Sequence, residues 1–385
     1  MKSFVPLSVP NIGSNELNHV LDAVQTGWVM DGAYNKQFED AFALYSKVPQ
    51  VTAVQSGTAA LHLAMLACGV EAGDLVIVPT LTFVAAVNPV RYMSADPVFI
   101  DCDDSLCMDP VKLREYLEEE CVIKEGVVFD YSLNRPIRAI VVVHVFGNIA
   151  DMESIMGISS EYKLPVIEDA CEAVGSFYTE GKYSGCMAGT IGEYGAYSFN
   201  GNKIMTTGGG GMFVAKDAEQ VQWAKYVSTQ AKSDALYYDH DQIGYNYRMS
   251  NMQAALGLAQ LVQLETFINI KHRNYDLYNE MGVSLLPFKS CIRPNFWFYS
   301  FLTNERDALM QYLLEQNVQT RPIWKLIHTL PMYEQCKALN IEKAFEYSKQ
   351  VVNLPCSTNL ECEDVKRVVS HVKSFNTEAA IQEKK

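Results

Sequence analysis

The chain reads as an α/β protein, a mostly parallel sheet sandwiched by helices and followed by a smaller α+β region. Three observations predict this. Short apolar runs rich in β-branched residues alternate with segments of helical spacing along the first two thirds of the sequence. Most of these runs end in a polar or glycine-containing turn, and their nearly unbroken apolar character suits strands covered on both faces. Beyond residue 250 the alternation stops, giving way to a long helix, a β-like run and several amphipathic helices.

The elements follow in order. "TAVQSGTAALHLAMLACGV" holds a short apolar segment, a Ser-Gly-Thr turn, and then leucines, alanines and Met65 at helical spacing; "DLVIVPTLTFVAAVNPV" repeats that order. "DPVFIDCD", "RAIVVVHVFGN", "LPVIEDACEAVGS" and "GAYSFNGNK" are four further strand-like runs. In such a sheet the active residues are expected at the carboxyl ends of the strands. "NMQAALGLAQLVQLETFINIKHRNYDLYNEM" predicts one long helix, and "CIRPNFWFYSFLT" is the β-like run after it. We therefore expect a large domain over residues 1–250 and a small α+β domain over 251–385. The polar tail "NTEAAIQEKK" is expected to fray, and no internal repeat or low-complexity segment is present.

Composition excludes several classes of function. With 385 residues, 49% of them hydrophobic, the chain can bury a large core, and two domains are expected. Its apolar runs fall short of the roughly 18 to 20 residues needed to cross a bilayer, and Met1 opens onto "KSFVPLSVP" rather than a signal peptide's apolar segment. A cytoplasmic location is the expectation. The ten cysteines contain no C-x-x-C pair and read as reduced thiols packed in or near the core, with no metal site. A net charge of -14 argues against nucleic acid or an anionic membrane as partner, so any anionic ligand must be held by local groups.

Three motifs carry chemistry. Ser56, Gly57 and Thr58 open a helix, where free amides and the helix dipole favour a phosphate, although an ordinary N-cap reads the same way. Glu168 and Asp169 end an apolar strand, where a buried carboxylate needs a cation or a donor. An Asp there can keep a pyridinium nitrogen protonated; it can equally cap a following helix. "YSFNGNK" then brings the amine of Lys203 to the end of another strand, as a Schiff base with an aldehyde cofactor requires. Taken alone, Lys203 could be a solvated lysine in a glycine-rich loop. The three together match pyridoxal phosphate: a phosphate clamp, a ring-nitrogen partner and an amine for the aldehyde.

At this point the sequence resembles the fold-type I pyridoxal-phosphate aminotransferases, and within them the DegT/StrS-type sugar-nucleotide aminotransferases. The resemblance runs from "PLSVPNIGSNEL" and "TGWVMDG" through "SGTAALHLAM", "VIEDACEAVGS", "YSFNGNKIMTTGGGGM" and "GYNYRMSNMQAALG" to "TRPIWKLIHTLPMY". It implies a mostly parallel seven-stranded sheet flanked by helices, with the smaller C-terminal α+β domain.

It also implies roles. Lys203 would bond to the cofactor aldehyde and, once released by substrate, shuttle a proton; Asp169 would pair with the pyridine nitrogen. Gly57, Thr58 and Ser198, the last five residues before the lysine, would bind the phosphate. Phe83 would stack on the ring face, with a plain core aromatic as its alternative. Glu172 stands where many relatives carry Gln and would lie on the cofactor's hydroxyl side. Asn246 resembles the residue that relatives donate across a dimer interface, implying a homodimer with shared active sites. His328 resembles a substrate-side residue, though a lone histidine is more often structural. Arg248, Arg321 and Lys325 are candidates for holding a nucleotide diphosphate, each with a surface salt bridge as alternative.

Two positions depart from the resemblance: Asn200 stands where many relatives have His, and Gly209 where they have Glu. Both lie beside Lys203. In one offshoot a histidine replaces the lysine and the enzyme dehydrates sugars, an outcome that Lys203 argues against. "PLSVPNIGSNE", "FNGNKIMTTGGGGM" and "STQAKSDALYYDHDQIGYNYRMSNMQAALG" look most like the aminotransferases of the legionaminic-acid and related, bacillosamine-like amino-sugar pathways. These aminate the 4-keto group of a nucleotide-linked 4-keto-6-deoxy-N-acetylhexosamine with glutamate as donor. A pyridoxal-phosphate sugar dehydratase on the same scaffold and a catalytically silent regulatory relative are the alternatives.

Overall fold

The computed structural model describes residues 3–234 and 236–382. Helices α1 (Ser14–Gln25) and α2 (Ala33–Ser46) precede the sheet, both lying against a later long helix. The sheet starts with β1 (Thr52–Val54) and continues, through α3 (Gly57–Ala67), into β2 (Leu75–Pro79). Next come α4 (Asn88–Tyr92), β3 (Asp96–Ile100), α5 (Pro110–Glu119) and the hairpin β4 (Cys121–Lys124) and β5 (Val127–Asp130). β6 (Arg135–Val143), α6 (Met152–Tyr162), β7 (Val166–Asp169), the short β8 (Phe177–Tyr178), β9 (Tyr194–Ser198) and β10 (Gly211–Ala215) complete the larger unit's strands.

The spine of the sheet has the order β1-β10-β9-β7-β6-β2-β3, with the β4–β5 hairpin attached to the start of β6. All spine pairs from β9 to β3 are parallel, while β10 runs antiparallel to both β9 and β1. The strand β10 follows the glycine run directly, and its "GMFVA" is buried at every residue. The connection from β9 to β10, residues 199–210, contains no helix, and β10 turns back beside β9 as its antiparallel neighbour.

Strands β2 and β7 are buried throughout, which is why β2 and the start of β7 read as apolar runs, the last two residues of β7 being the acids Glu168 and Asp169. Helix α3 is buried on most of its circumference, from Gly57 through Met65. Its Leu61 and Leu63 are fully enclosed, a burial worth roughly 1.5–3 kcal/mol for each side chain.

The chain then runs through α7 (Ala218–Ser228) and the small hairpin β11 (Lys232–Asp234) and β12 (Asp239–His240) to α8 (Asn251–Glu280). Ser250 caps α8 by accepting from Gln253 N while the Gln253 side chain accepts from Ser250 N, a reciprocal pair that sets the start of the helix. Gln260 of α8 donates to Glu16 of α1 at 2.7 Å, tying the two helices together.

Past β13 (Ile292–Arg293), which pairs with β8, come β14 (Tyr299–Leu302), α9 (Arg306–Glu315), β15 (Arg321–Pro322), α10 (Lys343–Gln350) and β16 (Val351–Leu354). β14, β16 and β15 form a separate antiparallel sheet in that order. The N-terminal residues lie against this region: Val5 pairs with Val318, and Cys356 N donates to Leu7 O. The tail expected to fray instead continues α11 (Cys362–Gln382), since Glu, Ala and Gln are good helix formers; its last three residues lie outside the described ones.

Candidate active site

Because the central strands run parallel, their carboxyl ends meet at one edge of the sheet, and a cavity of about 640 Å³ lies there. Gly57 and Thr58 reach it from the β1–α3 turn, Phe83 from the end of β2, and Phe146 from the end of β6. Asp169 and Glu172 come from β7 and its following turn, Ser198 and Lys203 from β9 and beyond. Trp297, Arg321 and Trp324 close the cavity from the C-terminal region.

The start of α3 is built by local chemistry. Ser56 is extended and its hydroxyl accepts from Ala59 N at 3.1 Å, while Ser56 O accepts from Ala60 N. Gly57 and Thr58 hold the first two amides of the helix, ahead of any intrahelical acceptor, so their N–H groups and the positive end of the helix dipole face the cavity. Gly57 is required by close approach: a Cβ there would lie 2.6 Å from Cys171 Sγ and 2.9 Å from Ser198 Cβ. Gly211 plays the matching part on β10, where a Cβ would meet Ser56 at 2.4 Å. Glycines on both sides thus let the amides of α3 reach the strand ends.

The two acids that end β7 separate because successive side chains leave a strand on opposite faces. Glu168 is fully buried and accepts from His144 Nε2 at 2.7 Å, Gly189 N at 2.8 Å, Ile191 N at 2.6 Å and the amide of Gly192. Burial pushes its carboxyl up, but His144 and these amides outweigh that and hold it below the usual value. His144 Nδ1 accepts from Ala150 N, which assigns the remaining ring proton to Nε2, facing Glu168. Asp169 faces the cavity instead, its Oδ1 accepting from Cys171 N at 3.0 Å. The residues after β7 form turns rather than a helix, so the alternative reading of Asp169 as a helix cap does not hold.

Lys203 is not a solvated loop lysine either. Its side chain is 12% exposed, with Nζ 3.7 Å from Glu172 Oε1 and 4.0 Å from the centre of the Trp297 ring. Glu172 Oε2 accepts from Phe146 N at 3.0 Å. Burial raises the Glu172 carboxyl to about 7, with Lys203 and the Phe146 amide pulling the other way. Gly209 and Gly210 line the cavity beside the lysine, and a Cβ on Gly210 would stand 2.1 Å from Thr207 Oγ1.

The other predicted residues divide. Phe83 is half exposed on the cavity wall rather than packed in the core, and Arg321 lines the cavity from β15. Asn200 also lines it. Asn246 is exposed and outside this cavity, on a segment that pairs with Thr229 and runs beside β1, where Gln55 N donates to Tyr247 O. Arg248 lies outside as well, its Nη1 2.6 Å from Asp31 Oδ2, and Lys325 is exposed and outside too. His328 lies beyond the cavity lining, its Nδ1 2.6 Å from Thr80 Oγ1 and its ring beside Phe99; burial lowers its pKa.

Sequence reasoning missed the aromatic wall. Phe146, Trp297, Phe298 and Trp324 line one side of the cavity, with Phe146 4.8 Å from Trp324 and Trp297 stacked on Phe298 at 4.1 Å between ring centres. "NFWFYSF" showed Trp297 and Phe298 only as part of a β-like run, because strand pattern does not reveal which ring will meet a distant lysine.

An amine, a carboxylate, a half-exposed aromatic ring and the start of a helix converge here. This donor set fits a flat cofactor bearing an aldehyde, a ring nitrogen and a phosphate. Among the described residues no group of three or more His, Cys, Asp or Glu is placed to hold a metal ion, and no helix is long and apolar enough to cross a membrane.

Comparison with known proteins agrees. Residues 10–373 match the DegT/DnrJ/EryC1/StrS aminotransferase family. The GDP-perosamine synthase of Escherichia coli O157:H7 is 35% identical over 379 residues, covering 97% of this chain and 98% of its own. The Bacillus subtilis (strain 168) protein EpsN, whose name assigns it provisionally to the pyridoxal phosphate-dependent aminotransferases, is 33% identical over 383 residues, covering 96% of this chain and 95% of its own. A crystal structure of a DegT DnrJ EryC1 StrS aminotransferase from Brucella abortus superposes with a TM-score of 0.86 at 27% identity, covering 94% of this chain and 95% of that one.

Proposed function

The chain belongs to the DegT/DnrJ/EryC1/StrS aminotransferase family and is a pyridoxal-phosphate-dependent transaminase, and from that premise we propose that it aminates a nucleotide-linked keto-sugar. In this reading glutamate is the donor, and the acceptor is the C4 carbonyl of a 4-keto-6-deoxy-N-acetylhexosamine, as in legionaminic-acid-type biosynthesis. The observation that carries the chemistry is the meeting of Lys203, Asp169 and the amides of Gly57 and Thr58 in one cavity.

Bound pyridoxal phosphate supplies an electron sink and carries the amino group between the two half-reactions. The chain's own residues do the rest. Gly57 and Thr58 amides, with the Ser198 hydroxyl, hold the phosphate; Asp169 keeps the ring nitrogen protonated; Phe83 offers its face to the ring. Lys203 Nζ anchors the cofactor and, when free, takes a proton from the donor carbon and returns one to the acceptor carbon. Glu172 lies on the hydroxyl side. Arg321 meets an anionic part of the substrate, while Arg248 and His328 act on the substrate side only if a second subunit or a shift of their segments extends the site. Asn246 is exposed, as a residue that reaches a neighbouring subunit's phosphate must be, so a homodimer in the cytoplasm is part of the proposal. The division into domains 1–250 and 251–385 is likewise proposed, supported by the separate β14-β16-β15 sheet.

A second reading of the acceptor is favoured by one observation: the E. coli relative, 35% identical, is a GDP-perosamine synthase, so a GDP-linked keto-sugar competes with the N-acetylated one.

The test is to load the enzyme with pyridoxal phosphate, add glutamate, and follow the visible cofactor band in wild type and Lys203→Ala. The proposal expects conversion in wild type with one 2-oxoglutarate per site, reversal by a nucleotide 4-keto-sugar, and neither step in the variant. Reversal by UDP- against GDP-linked keto-sugars then decides between the two acceptors. A bound cofactor that glutamate leaves unchanged overturns the donor assignment and favours the dehydratase or the silent relative.

A further inference from the structure

We infer that Glu172 and Trp297 form a dock that holds the amine of Lys203 whenever it is not bonded to the cofactor. This rests on the reading of Lys203 as the cofactor's anchoring amine and adds two positioning residues to it.

The geometry assigns the dock from two sides. The Trp297 ring faces Nζ at 4.0 Å from its centre, inside the range at which an aromatic face attracts a cation. That ring is itself fixed: its Nε1–H donates to Asn202 O at 2.8 Å, its amide donates to Asn295 Oδ1 at 2.9 Å, and it stacks on Phe298. Asn202 is the residue before Lys203, so one indole holds the lysine's backbone and faces its amine. From the other side Glu172 Oε1 stands 3.7 Å from Nζ, while Oε2 is committed to Phe146 N. Both dock residues are nearly enclosed, so water competes weakly for the amine.

Such a dock keeps the freed amine beside the reacting atoms instead of letting a four-carbon side chain swing away. It also provides a place for its proton. Transfer from the ammonium to Oε1 would leave a neutral amine and a neutral acid, with no charge gained or lost. The groups facing Glu172 are Lys203, Asp169 and Cys171. Burial and Asp169 raise its carboxyl and Lys203 and the Phe146 amide lower it, to a balance at about 7, so Glu172 accepts a proton more readily than an ordinary carboxylate.

The test uses enzyme converted by glutamate to its aminated cofactor form, in which the lysine is free. Lys203 is labelled with trace acetic anhydride from neutral to alkaline pH, read by mass spectrometry, with Lys36 as exposed reference. Glu172→Gln and Trp297→Leu should each raise labelling at neutral pH about threefold, because the ammonium loses a partner, while Trp297→Tyr should stay close to wild type. Glu172→Gln preserves shape, so it decides the matter if Trp297→Leu fails to fold. Unchanged Lys203 labelling in variants that still bind and convert the cofactor overturns the dock alone. Failure of wild type to convert its cofactor with glutamate overturns the reading beneath it.

Discussion

Gly57 and Ser198 are packed so tightly that a Cβ on the glycine would lie 2.9 Å from the serine Cβ. This contact brings the first amides of α3 to the end of β9, and with them the two elements proposed to share the phosphate. Gly57→Ala must push helix and strand apart, an overpacking that costs about 1–3 kcal/mol. We expect the variant to fold and to bind pyridoxal phosphate about tenfold more weakly, measured by equilibrium dialysis. Unchanged affinity would mean the helix start does not hold the phosphate.

Glu168 is a scaffold acid rather than a cofactor ligand. It organises the 189–192 loop through three amides and pairs with His144, itself fully buried. Removing one partner of such a network is expected to cost about 3 kcal/mol, so Glu168→Gln should shift the urea midpoint clearly downward. The pH sign follows from its lowered carboxyl: the contribution is present above 4.5, the usual value, and is lost as pH falls through the lower folded value. Wild type should therefore lose its advantage over the variant only in acid.

For Glu172 the sign is opposite. Its carboxyl is raised from 4.5 to about 7, mainly by burial, so its stabilising contribution is complete below 4.5 and is lost as pH rises to about 7. In the cofactor-free chain, Glu172→Gln should gain stability relative to wild type between these values. Thermal melts of both proteins across that range check this, and parallel curves would count against a raised carboxyl.

Arg321 and Lys203 are the cationic side chains on the wall of the cavity, and Arg321 is exposed on β15. Arg321→Ala should raise KM about tenfold for the substrate whose anionic group it meets, from the loss of charge-assisted hydrogen bonds, with little change in melting temperature. Steady-state kinetics varying glutamate and nucleotide sugar separately identify which substrate that is.

Much of the fold was legible in advance for a physical reason. Strands covered on both faces are mostly apolar, so β2, β3, β6 and β7 announced themselves by their apolar runs, with the acids of β7 at its carboxyl end, and α8 did so by its length. The strand β10 was harder, because its "GMFVA" merges with the glycine run and its antiparallel direction depends on a neighbour chosen in three dimensions. In the site, Lys203, Asp169 and Gly57 stood out because each closes or follows a strand, and strand ends share one edge of a parallel sheet, while Ser198 came from the family resemblance. His328 and Arg248 were singled out by motif, yet packing turns them to Thr80 and Asp31, away from the cavity wall of this chain.

What the sequence by itself determined is the order of strands and helices and the chemical inventory at the strand ends, because local apolar pattern and turn chemistry are properties of neighbouring residues. What only the tertiary structure decided is which side chains share a surface. The separation of Glu168 into the scaffold and Asp169 into the cavity depends on which sheet face is lined by what. The placing of Trp297 over Lys203 joins residues 94 positions apart, a contact that exists only once the C-terminal region has packed against the strand ends.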